Sequence, residues 1–419
     1  MTFISLGSVI LLMSSLSAIS IIGCDSLATF NEKHKIALKG KTFDDAFSYG
    51  WVLGRGNFGV VKEIHWGDKR AAAKILNYPE HDIIKRIQER EIDILNTMIG
   101  LNAAANFYGC AVNEEHKQVY LVQEKLYKDL ANKSVALKLR SMPLHKRILR
   151  YIKIAEAFQK LHEKNITHQD IKTGNIMAVD NKLSDFRIID FGLSAKLNEP
   201  VTGGSPLLNA PEKVNVKSTV QIIESLSDIS LFATFGHDIY ALGMTFALME
   251  TQLEKIFGDI PGRCVVLEYT PQCFSSIIKN IRDNMKENNQ DKLLEIILRA
   301  INYDRFKRTG SMEDLKNELI GLYNELSREN NLPPINESNS FNDILKSDAN
   351  FESEMKAYEV SMVQKEYTMR DANIKEDEKL IQFPMDKGFD ELVDDMTDAV
   401  KDYFNHLKID KVLIASHLI

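Results

Sequence analysis

The sequence predicts an α+β fold in two lobes, a small β-rich lobe with one main helix followed by a larger, mainly helical lobe. Three observations predict it. Over residues 51–76, short β-branched and apolar runs broken by glycine read as three strands joined by turns. Over residues 80–98 the apolar side chains Ile83, Ile84, Ile87, Ile94, Leu95 and Met98 recur at helical spacing, so one face of a helix packs inward. After a further strand at residues 119–123, the chain is mainly helical with polar loops as far as about residue 325. A sheet first and helices later is the order of segregated α+β layers.

The strands carry the first chemical signal. Gly54, Gly56 and Gly59 fall where the first strand turns back, and Val61 follows them. Backbone without Cβ lets phosphates approach closely. The same glycine spacing marks dinucleotide folds and plain turns, but a dinucleotide site needs a helix directly after the glycines, and residues 60–65 read as a second strand. The turn is then a hairpin lid over a nucleotide. Ala72, Ala73 and Lys74 end the third strand, and a lysine among small apolar residues is poorly hydrated unless an anion meets it. Glu91 lies on the apolar face of the following helix, where a carboxylate needs a partner. A nucleotide's phosphates are a second anion for the same lysine.

The loop His168-Gln169-Asp170-Ile171-Lys172-Thr173-Gly174-Asn175 groups a base, a cation and a metal-ligating amide. Phosphoryl transfer needs those three roles together. Ile188-Ile189-Asp190-Phe191-Gly192 is an apolar strand that ends in a carboxylate placed to hold Mg²⁺.

This ordered set resembles the eukaryotic protein kinase family over residues 47–325. The resemblance implies a bilobal protein kinase-like fold and transfer of the γ-phosphoryl of ATP to serine or threonine hydroxyls of proteins, with Mg²⁺, or alternatively Mn²⁺, as the metal. It implies that Lys74 contacts the α- and β-phosphates and pairs with Glu91, that Asp170 accepts the substrate proton, and that Lys172 steadies the γ-phosphate. Asn175 and Asp190 would hold the metal. Gln123 falls at the gatekeeper position, and Glu124 to Leu126 at the hinge that holds adenine. Ala210-Pro211-Glu212 would close the activation segment, Glu212 would pair with Arg308, and Asp238 followed by Gly243 resembles the helix that anchors the catalytic loop. Lys172 and Ser205 resemble the serine/threonine branch. Three departures stand out: Gln169 replaces an arginine, Arg305 replaces a proline, and extra residues lie between Glu212 and Asp238. A pseudokinase-type binding scaffold and a small-molecule or lipid kinase are the alternatives. The filled metal and phosphate positions oppose the first, and the Ser205 to Glu212 segment, a peptide platform in the family, opposes the second.

Composition bounds the rest. With 44% hydrophobic residues in 419 the chain can bury a large core, and a net charge of −7 excludes a main partnership with nucleic acid, which needs a basic face. Cys24, Cys110, Cys264 and Cys273 show no metal-ligand spacing, and reduced, mostly buried thiols are expected, with a Cys264 to Cys273 disulfide in an oxidising compartment as the alternative. Residues 3–24 contain no charge, and residues 1–28 read as a targeting or membrane segment, giving membrane association or entry to the secretory route, with a cytoplasmic location as the alternative. Residues 329–385 read as an acidic, largely flexible linker, and residues 386–419 as an amphipathic helical tail that docks on the main domain or meets a protein partner.

Overall fold

The computed structural model describes residues 47–336, except 57–58, 67–68, 78–81, 114–115, 202, 215–231, 261–269 and 287–289, together with Ile344. The expectations for residues 1–28, for 386–419 and for most of 329–385 lie outside the described residues.

Strands β1 (Phe47–Gly56), β2 (Gly59–Trp66), β3 (Lys69–Asn77), β4 (Phe107–Asn113) and β5 (Gln118–Glu124) form one antiparallel sheet in the order β1-β2-β3-β5-β4. Helix α1 (Asp82–Thr97) follows β3. The period-2 alternation of strands divides the sheet's apolar residues between its faces. Ile64, Ala71, Ala73, Ile75, Tyr120 and Val122 pack on one face, whereas Leu76, Val119 and Leu121 join Ile92 and Leu95 of α1, and Met98 just after it, on the other.

The short strands β6 (Lys128–Asp129), β8 (Ile176–Ala178) and β9 (Phe186–Ile188) form a second sheet, and β7 (Ile166–Thr167) pairs with β10 (Ala195–Lys196). The helical lobe contains α2 (Lys133–Ser141), α3 (Leu144–His162), α4 (Pro211–Val214), α5 (Phe235–Glu250), α6 (Leu253–Phe257), α7 (Pro271–Lys286), α8 (Asp291–Ala300) and α9 (Met312–Glu329). Helix α5 is apolar nearly all round and is buried on every side, as such a pattern requires. Backbone bonds from Ile188 N to Ala103 O and from Ala105 N to Ile188 O fasten the segment after α1 to β9, which leads into Asp190. The two-lobed α+β expectation holds.

Two expectations are corrected. Residues 330–336 do not behave as free linker: Asn324 Oδ1 accepts from Ile335 N at 2.8 Å, its Nδ2 donates to Ile335 O at 3.0 Å, and Tyr323 donates to Pro333 O at 3.2 Å. Ile344 is buried in the main core. Polar composition hid this, because the side chains that anchor the stretch sit on α9. Cys110 is a free, buried thiol as expected, but Cys273 is disulfide-bonded, its other half lying outside the described residues. Among the described residues, no helix is long and apolar enough to cross a membrane.

Candidate active site

The sheet places the residues expected on the nucleotide side. Gly56 pairs with Gly59 at the β1–β2 turn, and Gly54 with Val61. Gly59 has φ +145, and a Cβ there would stand 2.1 Å from Ile75 O, so no other residue fits this crossing of β2 over β3. Val61 pairs with Lys74, Ala72 with Gln123, and Lys74 with Leu121. Residues directly opposite share a face, so Val61, Ala72, Lys74 and Gln123 lie on one side of the sheet. Gln123 Nε2 is buried there with no hydrogen-bond partner. A buried unpaired donor is costly, and a ligand acceptor would satisfy it. Glu124 is not a free hinge carboxylate: its Oε2 accepts from Asn106 N at 3.2 Å and its own N–H donates to Asn106 O at 2.8 Å. Any hold on adenine by Glu124 and the buried Leu126 then falls to the backbone.

Lys74 joins the two lobes. Its Nζ lies 2.7 Å from Glu91 Oε1 and 2.8 Å from Asp190 Oδ1. Burial opposes the ammonium's charge, but Glu91 and Asp190 together hold its pKa above the ordinary lysine value. Burial likewise opposes the Asp190 charge, and Lys74 reverses that, keeping the carboxyl below its usual range.

The loop of residues 168–175, expected to be catalytic, hangs from Asp238 on α5. This fully buried carboxylate accepts from His168 N at 2.7 Å and Gln169 N at 2.9 Å, and contacts His162 Nε2 at 2.9 Å. The His168 ring lies between Phe158 and Phe191, at centroid distances of 5.9 and 5.5 Å, so the loop and the segment after Asp190 share one packed core. Gln169 and Asp190 adopt left-handed backbone with φ 66 and 62. Such conformations are strained for these residues, persist only where the surroundings impose them, and cluster at functional sites.

Asp170 is the hub of the loop. Asn175 Nδ2 donates to Asp170 O at 2.8 Å and Oδ2 at 3.1 Å, Ser205 Oγ donates to Oδ1 at 2.7 Å, and Lys172 Nζ stands 3.0 Å from Oδ2. Burial works against the carboxylate, but Lys172 and the Ser205 hydroxyl hold its pKa below the ordinary value, so it is ionised at neutral pH. Lys172 also donates to Ser205 Oγ at 3.3 Å. Because Asn175 commits its Nδ2 to Asp170, its amide oxygen is the end left for a cation. Glu212 takes Arg308 through both oxygens at 2.5 and 2.6 Å.

The fold therefore assembles two groups: Lys74, Glu91 and Asp190 in one, and Asp170, Lys172, Asn175 and Ser205 in the other. Sequence reasoning missed His162, Lys213 and Asn106, none of which lies within a motif. A cation and carboxylates of both lobes stand next to a buried carboxylate that holds a serine, within a fold of the two-lobed kind. The chain belongs to the protein kinase domain family, which matches residues 47–320. It is similar to serine/threonine-protein kinase 33 of Mus musculus, 29% identical over 42% of this chain and 38% of the relative. It also resembles serine/threonine-protein kinase stk11 of Xenopus laevis, 26% identical over 50% and 48%, and serine/threonine-protein kinase 33 of Bos taurus, 27% identical over 58% and 52%. The chain thus spans about half the length, or less, of these curated relatives.

Proposed function

We propose that this chain transfers the γ-phosphoryl of ATP to serine or threonine hydroxyls of protein substrates. The observation that carries the reading is the bonding of Asp170 to Asn175, Lys172 and Ser205 at once. Ser205 stands where Asp170 and Lys172 both reach a hydroxyl, and a substrate hydroxyl brought beside it would meet the same base.

In the reaction the substrate oxygen forms a bond to the γ-phosphorus, the bond from that phosphorus to the bridging oxygen breaks, and ADP leaves. The hydroxyl proton passes to Asp170. Lys172, 3.0 Å from Asp170, steadies the transferring group with its charge, and Lys74, fixed by Glu91, meets the other phosphates. Asn175 and Asp190 would hold Mg²⁺, which when bound neutralises charge on the phosphates. An amide oxygen and a carboxylate suit that cation, which commonly takes few protein ligands and completes its shell with phosphate and water.

Labelled ATP, Mg²⁺ and a peptide panel test the reading directly. Phosphate on serine or threonine peptides is expected, and transfer to small molecules or lipids alone, or ATP binding without transfer, would replace it by one of the alternatives. Asp190→Asn should act as a metal defect, with activity partly restored by raised Mg²⁺ or Mn²⁺. We further propose that residues 3–24 bring the chain to a membrane or the secretory route, on the strength of their charge-free run. Removal of residues 1–28 should then shift the protein to the soluble fraction without lowering its specific activity, and an unchanged distribution would remove this role.

A further inference from the structure

Gln169 stands beside Asp170 where the family pattern has an arginine, and its amide is turned to Thr167, Nε2 donating to Oγ1 at 2.9 Å. A cation reaches this junction from elsewhere. Lys213, the residue after Ala210-Pro211-Glu212, donates from Nζ to Gly203 O at 2.8 Å and to Gln169 O at 3.1 Å. Gly203 belongs to the stretch that presents Ser205, and Gln169 to the loop that presents Asp170, so one side chain joins the two.

The surroundings are shaped to this contact. Gly204 has φ +146, and a Cβ there would lie 2.3 Å from Asn209 Oδ1, 2.7 Å from Gln169 O and 2.9 Å from Lys213 Nζ. No side chain fits, and the backbone conformation suits glycine alone. The Lys213 stem is half-buried, while its ammonium is enclosed. Asp238 of α5, Asp170 of the catalytic loop and Glu212 of its own helix face it as anions. His237 of α5 feels its charge, and Arg308 neutralises Glu212. Two carbonyl oxygens and three carboxylates around one buried cation give it a defined place, unlike a surface lysine.

From this geometry we infer that Lys213 is a positioning residue: it staples the Gly203 to Ser205 stretch to the catalytic loop, so that Ser205 reaches Asp170 and Lys172 without a phosphate on the segment. The inference rests on Asp170 being the base of the proposed transfer. A phosphate-bound arginine orders such a segment by charge-assisted bonds that a modifying enzyme must supply, whereas Lys213 makes bonds of that class from within the chain. Burial draws its pKa down to about 8, even with the carboxylates opposing. The amine keeps two N–H donors when it loses its proton, but the charge that strengthens both bonds is gone. Transfer should therefore weaken as the pH rises through about 8.

The test uses the full chain after phosphatase treatment, as wild type, Lys213→Met and Lys213→Arg. Lys213→Met should lower kcat for peptide by tenfold or more with the KM for ATP within twofold, and should speed amide hydrogen exchange at residues 203–209 while α3 and α5 stay protected. Lys213→Arg, which holds its charge at all working pH values, should keep activity to higher pH than wild type. Should Lys213→Met fail to fold, the arginine variant decides. Wild-type kcat and unchanged exchange in Lys213→Met would overturn the proposal, as would the same alkaline limb in wild type and Lys213→Arg. Exchange is read without substrate, so a wild-type chain that transfers nothing removes the kinase reading while the staple is still judged by residues 203–209.

Discussion

Two buried contacts between cations and carboxylates tie distant parts of this chain together, and they are built differently. Lys74 meets Glu91 and Asp190 through a single ammonium, each acid coming from a different lobe, and the Asp190 side chain is 35% exposed. Glu212 meets Arg308 through both of its oxygens, and the guanidinium also donates to Asn302 O at 2.7 Å and to Gly236 O at 3.2 Å. The first is a compact charge beside an acid that is still open to the cleft, so ligands can exchange with it. The second is a planar fork saturated by protein acceptors, and it can only hold. Similar residue types thus leave an open contact in one region and a closed one in the other.

Breaking the first contact, or removing the Asp170 carboxylate from the loop beside it, should abolish chemistry and leave the fold. Lys74→Met and Asp170→Ala are each expected to lower kcat by about a hundredfold to ten-thousandfold, or roughly 3–5 kcal/mol of barrier, in a peptide assay, with a far-ultraviolet spectrum like wild type. Wild-type turnover by Asp170→Ala would show that the base is another group. Breaking the second contact should do the reverse. Arg308→Ala leaves Glu212 half-buried without its partner, and urea denaturation should show a loss of about 3–5 kcal/mol. A loss below 1 kcal/mol would mean that the fork is dispensable.

The neighbourhood of that fork also sets the acid behaviour. His237 is buried, and burial, then Lys213, push its pKa down to about 4, against the pull of Glu212 3.7 Å away. A histidine whose folded pKa lies below its unfolded value favours the fold when neutral. Its contribution is full above about pH 6.5 and is lost as the pH falls toward 4, by roughly 3 kcal/mol in all. His237→Gln should lose less stability than wild type between pH 6.5 and 4, and parallel curves would show that another group titrates.

The smallest expected effect concerns phosphorylation. Gln169 has no charge to offer a phosphate, and Ser205 already contacts Asp170 and Lys172. Phosphatase-treated protein and Thr202→Ala, a position outside the described residues, should both stay within about tenfold of untreated activity, equivalent to roughly 1.4 kcal/mol. A larger fall would place a phosphate partner elsewhere, with the exposed Lys196 the first to test.

The sequence by itself determined the order of the two lobes and pointed to Lys74, Glu91, Asp170, Lys172, Asn175 and Asp190 as candidate site residues. These are readable because their signals are local: 3.6-residue periodicity places Glu91 on a buried face, and Asp170, Lys172 and Asn175 share one loop. Tertiary structure alone decided what each polar group meets. It turned the Glu124 carboxylate to Asn106, left Gln123 Nε2 unpaired, folded residues 330–336 back onto α9 and hung the catalytic loop from Asp238. Lys213 is the sharpest case, since a lysine after a proline and a glutamate has the composition of a solvated helix start. Only the meeting of the catalytic loop, the activation segment and α5, brought together from far apart in the chain, encloses its ammonium and gives that one charge a task.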